Sequence, residues 1–200
     1  MNRLTKSVAS VMLAVSALTF FSCDDDSTNV IGLNDAAQYG KITVKLEGKR
    51  PDGVDFTKKI EFRFMPEEGP QYSSISYDGN AYFFVQRHHG AVNESHNDNY
   101  AGFNLQADVD TQTPVTGSFY MYTSVIDEDD NVYFYLNDEF TVDMADVTNF
   151  NYSEGTGKLK YSFTTQLDAN SNSTGNDLTV TVEANVNVFE GLNGNFGGNL

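Results

Sequence analysis

Alternation with a period of two governs what this chain can fold into. Leu178, Val180, Val182, Ala184, Val186 and Val188 fall on one side of an extended segment, opposed by Thr179, Thr181, Glu183, Asn185 and Asn187. Only a strand sends successive side chains to opposite faces. The pattern recurs with Ile42, Val44 and Leu46 against Lys41, Thr43, Lys45 and Glu47, and with Ile60, Phe62 and Phe64 against Glu61 and Arg63. It returns in Phe103, Leu105, Ala107 and Val109, and in Leu159, Tyr161 and Phe163. Nowhere does an apolar pattern of 3.6-residue period last three turns, which excludes helical bundles and helix-covered parallel sheets.

Turn chemistry separates these segments. Pro51-Asp52-Gly53 joins the first two strands, because proline presets one dihedral and glycine accepts the positive one. Asp78-Gly79, set between Tyr72–Tyr77 and Tyr82–Arg87, predicts a tight hairpin, and Thr113-Pro114 predicts a further turn. Phe119–Ile126 and Val132–Leu136 are apolar or aromatic on both faces, the pattern of central strands. Phe140 and Val142 extend that region, and Met144–Val147 has the length of one helical turn. Two final strands form a hairpin across Asp168–Asp177. About nine short strands predict an all-β, antiparallel β-sandwich, with an up-and-down β-barrel as the alternative.

Composition narrows the function classes. With 40% hydrophobic and 20% charged residues a packed core is expected. Twelve basic against 28 acidic residues give a charge of -16, which excludes nucleic acid as a natural partner because phosphates are repelled. A single cysteine cannot form an internal disulfide or a cysteine-based zinc site.

That cysteine is informative by position. Arg3 and Lys6 precede an uncharged stretch from Ser7 to Ser22, too short for a spanning helix and running into Cys23 and Asp24-Asp25-Asp26. The segment Leu18-Thr19-Phe20-Phe21-Ser22-Cys23 resembles the lipobox of bacterial lipoproteins. Ser22 fits, while Phe20 stands where Leu is usual and Phe21 where a small residue is usual. The resemblance implies that Cys23 is acylated and becomes the first mature residue, held by two or three chains where one would anchor weakly. A relaxed, Phe-rich lipobox followed by an acidic run is similar to lipoproteins of the Bacteroidota. There the acidic run implies display on the outer face of the outer membrane, whereas in enterobacteria an Asp after the cysteine favours inner-membrane retention. Asp26-Ser27-Thr28 resembles that phylum's O-glycosylation motif at Ser27, with a plain polar tether as the alternative. Gly157–Val182 is similar to small lipoprotein domains of the same phylum and adds nothing on activity. The expected organisation is a signal peptide over 1–22, an acidic and polar tether over 23–39 and one β domain over 40–200. Loss of Arg3 and Lys6 with the signal peptide makes the remainder more acidic still.

Chemistry-bearing patterns are sparse. Asp127, Asp129 and Asn131 match the first, third and fifth ligand positions of a calcium loop, yet Val132 occupies the glycine position and Asp138 the place of the bidentate Glu. Asp168, Asn170 and Asn172 repeat the spacing. His88, His89 and His96 share one loop with Glu94 and Asp98, but adjacent histidines on a strand end diverge. Glu67-Glu68 and Asp138-Glu139 are carboxylate pairs of the kind glycoside hydrolysis uses. Tyr72, Tyr77, Tyr82, Tyr100, Tyr120, Tyr122, Tyr133 and Tyr135 suit either sheet packing or stacking on sugars and partner proteins; the absence of Trp weakens the sugar reading. The expectation is a lipid-anchored, non-catalytic binding or scaffolding module, with no cofactor beyond calcium at Asp127, Asp129 and Asn131. Its partners would be the membrane, through the anchor, and a surface glycan or protein. The alternatives are a fimbrial or other assembly subunit and a small calcium-dependent glycan-binding or hydrolytic domain.

Overall fold

The computed structural model describes residues 39–65, 72–89, 99–126 and 132–190. All of them belong to the unit that begins at Asn34. They form an antiparallel β-sandwich. The chain opens with a hairpin of β1 (Gly40–Lys49) and β2 (Asp55–Arg63), then crosses to a meander of β3 (Ser73–Asp78), β4 (Asn80–His88), β5 (Tyr100–Asp108), β6 (Thr113–Ile126) and β7 (Val132–Thr141). A one-turn 3-10 helix, Met144–Asp146, leads into β8 (Val147–Ser153), β9 (Lys158–Leu167), β10 (Leu178–Asn187) and the short β11 (Phe189–Glu190). β10 returns to pair with β1 over Gly40–Gly48. One sheet therefore reads β2-β1-β10-β9-β8 and the other β3-β4-β5-β6-β7, the two joined by the pair Arg63 with His88 and by the short parallel pairing of β11 with β3.

The alternating residues point inward as predicted. Ile42, Val44, Leu46, Val180, Val182 and Val186 from one sheet meet Val85, Phe103, Leu105 and Phe119 from the other, all at most 2% exposed. Rings close the gap between the sheets: Phe83 meets Tyr152 at 5.1 Å, Phe103 meets Tyr161 at 5.3 Å and Phe119 meets Phe163 at 5.5 Å. Such tilted and edge-on pairs add about 0.5–1.5 kcal/mol each beyond the area they bury. The Asp78-Gly79 hairpin and the terminal β9-β10 hairpin form as expected, with Gly79 at φ +75°.

Three expectations are corrected. The turn assigned to Thr113-Pro114 lies at residues 109–112, because the Asp108 carboxylate accepts the Asp110 and Thr111 backbone N–H groups and closes it earlier. Pro114 then sits near the start of β6, beside the irregularity at Gln106/Ala107, where a missing donor costs little. Val132–Thr141 is an edge strand and not a central one: Leu136 is buried, while Tyr135 faces solvent. The barrel alternative fails because β7 and β8 end the strand order without pairing to one another. Two strands went unforeseen. β8 is rich in Asn, a poor strand former, and β11 is only two residues long.

Both outer edges receive an acceptor from a loop. Gln112 Oε1 accepts the Tyr152 N–H of β8 at 2.7 Å, and Ser173 Oγ accepts the Tyr135 N–H of β7 at 2.5 Å. Side-chain caps of this kind blunt edges that would otherwise invite a foreign strand.

One core group is badly placed. The Tyr161 hydroxyl is buried with no hydrogen-bond partner among the described residues, and burial pushes its phenol well above the usual range. Tyr161→Phe should stabilise the fold by about 1 kcal/mol, a rise of roughly 2–4 °C in Tm by calorimetry. A fall in Tm would show that the hydroxyl is satisfied.

Candidate functional site

The residues singled out in the sequence separate into three groups. Cys23, Ser27, Glu67, Glu68, Glu94, His96, Asp98, Asp127, Asp129 and Asn131 lie outside the described residues. A second group is used structurally. Asn172 spends its side chain on its own loop, donating to the Asp168 and Asn176 carbonyls and accepting from Thr174, so Asp168-Asn170-Asn172 is a hydrogen-bonded turn. Asp138 accepts the Glu139 N–H, and Glu139 accepts the Ser118 hydroxyl at 2.5 Å. His88 and His89 diverge: His88 packs near the Tyr100 ring at 5.9 Å, while His89 bonds the Glu61 carbonyl at 2.9 Å. Among the described residues no group of three His, Cys, Asp or Glu is placed to hold a metal ion.

The third group comes together. On the solvent side of the β3–β7 sheet, strand register sets side chains in rows across the strands. Ser76, Tyr82, Gln106 and Thr116 form one row, and Ser74, Phe84, Asn104, Ser118 and Thr141 the next. Below these run Gln86, Gly102, Tyr120 and Glu139, then His88, Tyr100, Tyr122 and Asn137. Tyr72 stacks on Phe84 at 4.4 Å, Tyr100 on Tyr122 at 5.6 Å, and Tyr135 meets Tyr122 edge-on at 5.8 Å. The result is a surface tiled with rings and interleaved with amides.

Hydrogen bonds hold these groups in place. Gln106 Nε2 donates to the Tyr82 hydroxyl at 3.0 Å, and Asn104 Nδ2 reaches Ser118 Oγ at 3.4 Å. The Tyr120 ring lies across Gly102, and its hydroxyl donates toward the Val85 carbonyl at 3.2 Å and Gln86 Oε1 at 3.3 Å. Burial pushes the Tyr120 phenol well above the usual range, so it stays a neutral donor. Two depressions result, of about 430 Å³ over β3–β7 and about 470 Å³ over β4–β7. Phe84 and Asn104 line both, making one groove with Tyr82 near one end and Tyr122 near the other.

The outer side of the opposite sheet is different in kind. It carries Lys41, Lys45, Lys59, Arg63 and Lys160, several of them paired with acids, as in Lys41–Glu61 at 2.6 Å and Lys45–Glu47 at 2.8 Å. Hydrogen bonds from Lys41 and Arg63 hold the Glu61 carboxyl down to about 2. A depressed carboxylate stabilises the fold fully above its unfolded value of 4.5, and that stabilisation is lost as pH falls through about 2. An NMR titration of Glu61 should show this low midpoint, and Glu61→Gln should flatten the acid limb of the stability curve over that interval.

Of the groove residues, the sequence pointed to the tyrosines but not to Phe84, Gln86, Asn104, Gln106 or Ser118. A readable signal was present: between Phe64 and Gly157 the chain holds 16 acids and one Lys or Arg, Arg87. A wet sheet face without lysine is unusual, and it marks this one. Comparison with protein-family models, curated proteins and solved structures finds no match to this chain.

Proposed function

We propose that this protein is a non-catalytic binding module, lipid-anchored through Cys23 and displayed at the cell surface, whose ligand seats in the groove across β4–β7. The observation that carries the reading is the face itself. Rings and amides occupy positions where a purely structural sheet would carry charged residues, and they are held in one arrangement by their mutual hydrogen bonds, which lowers the ordering cost of binding. The two carboxylates at the groove, Asp138 and Glu139, are engaged by a backbone N–H and by Ser118, which suits them to positioning more than to acid–base work. The anchor rests on the lipobox-like segment before Cys23. Among the described residues no helix is long and apolar enough to cross a membrane.

Two measurements test this. Cys23→Ala should move the protein from the detergent phase to the aqueous phase in phase partitioning; unchanged partitioning would sink the anchor. Cells displaying the full chain should be retained on an immobilised panel of glycans and extracellular proteins, and cells displaying Tyr82→Ala/Tyr122→Ala/Tyr135→Ala should not, while that variant still unfolds cooperatively. Equal retention of both strains, or none by either, removes the groove as the binding site.

A further inference from the structure

Resting on that binding reading, we infer that the ligand of the groove is an uncharged oligosaccharide chain. The argument begins with hydrogen-bond chemistry. A sugar hydroxyl both donates and accepts, and so do the hydroxyl and amide side chains that dominate the lining, Ser74, Ser76, Gln86, Asn104, Gln106 and Ser118. Ammonium and guanidinium groups only donate and ionised carboxylates only accept, so a lining of two-way groups matches a neutral polyol. Ring faces supply the apolar half of the match. Tyr82, Phe84, Tyr100 and Tyr122 line the groove and offer ring carbons to the C–H faces of pyranose rings. The groove runs from the Tyr82 row to the His88 row of β4, a length of about 20 Å at the usual strand rise, enough for several sugar units.

Charge selects among saccharides. The one Lys or Arg between Phe64 and Gly157 is Arg87, which is 0% exposed and points away from this face. A uronate, sulfate or phosphate would therefore find no counter-charge here and would approach a chain of net charge -16. An amino sugar is also a poorer match, because the two groove carboxylates, Asp138 and Glu139, already accept the Glu139 N–H at 2.8 Å and the Ser118 hydroxyl at 2.5 Å. A protein partner would need an apolar centre. Among the described residues, the exposed large hydrophobic side chains of this face are Tyr82, at 40%, and Tyr135, at 41%, and they stand toward opposite ends.

Calorimetric titration of the full chain in detergent separates the outcomes, with three sets of hexasaccharide as probes: neutral gluco- and manno-oligomers, galacturonate oligomers and glucosamine oligomers. Binding is expected with at least one neutral set. It should weaken about tenfold in Tyr122→Ala and in Tyr82→Ala, the equivalent of a lost stacking contact, and hold in Thr164→Ala/Thr181→Ala on the opposite sheet. Binding confined to the galacturonate or glucosamine oligomers, with the same sensitivity to the tyrosine variants, overturns the ligand class and leaves the groove standing. Neutral binding that ignores both tyrosines overturns the ligand class and the groove together. Heat with none of the three sets overturns the uncharged chain as ligand, and the displayed-cell comparison, which includes proteins, then decides whether the groove falls with it.

Discussion

Arg87→Met should lower the stability of the fold by about 3–5 kcal/mol, the largest effect expected of any single substitution here. The Arg87 guanidinium is fully buried, and its acceptors among the described residues are uncharged oxygens: the Tyr39 carbonyl at 2.6 Å, Gln86 at 2.7 Å, Tyr72 at 2.8 Å, Ser73 Oγ at 3.0 Å and Gly40 at 3.4 Å. Burial pushes it down to about 9, so it remains charged at neutral pH. Removing the fork takes a donor from each of these oxygens in a dry interior, with the Tyr72 carbonyl keeping the Gln86 N–H at 3.0 Å, and each group left unpaired costs about 1–3 kcal/mol. Arg87→Lys should recover only part of the loss, since one ammonium offers three donors in place of a planar fork. Urea unfolding checks this directly, because a domain of 5–15 kcal/mol would lose a large share of its stability. A shift below about 1 kcal/mol would mean that water reaches the site and satisfies the carbonyls.

Gly102→Ala should cost about 2–4 kcal/mol and should disable the groove in the same stroke. Gly102 faces the groove in register with Tyr120, and a Cβ there would overlap both the Tyr120 ring end and the Val85 carbonyl oxygen. The ring has to lift, breaking its hydrogen bonds to Val85 and Gln86 and tilting the tile beside Tyr100, which it meets edge-on at 6.1 Å. A double-mutant cycle isolates the cause. In a Tyr120→Ala background the further cost of Gly102→Ala should fall, because only the Val85 oxygen then opposes the methyl group. Equal costs in both backgrounds would show that the backbone contact alone matters and that Tyr120 is free to move.

Much of the fold was legible because inward and outward residues alternate cleanly in β1, β5, β9 and β10. The pattern failed where the outward side was not polar. On β7 the aromatics of Tyr133–Tyr135 imitate a doubly buried strand, although Tyr135 serves the outer face. Turn placement failed at Thr113-Pro114 for a local reason, since an Asp side chain upstream captured the backbone first. The candidate site was legible only in part. Tyrosines draw notice by type, but Gln86, Asn104 and Ser118 become a site only through register across β4, β5 and β6, and register is a property of pairing that no single strand displays. Arg87 was invisible for the opposite reason: its alternation places it inward, where a cation is seldom expected.

The position of β1 has a mechanical side. Gly40 is its first residue, and the strand is paired along its length with β10 on one flank and β2 on the other. A pull on Gly40 directed along the strand axis would therefore load both ladders in shear. All rungs must slip together instead of opening one at a time from an end. The Arg87 fork grips Tyr39 and Gly40 at the point where that load arrives, so the same buried cation that secures the core also acts as a clamp on the line.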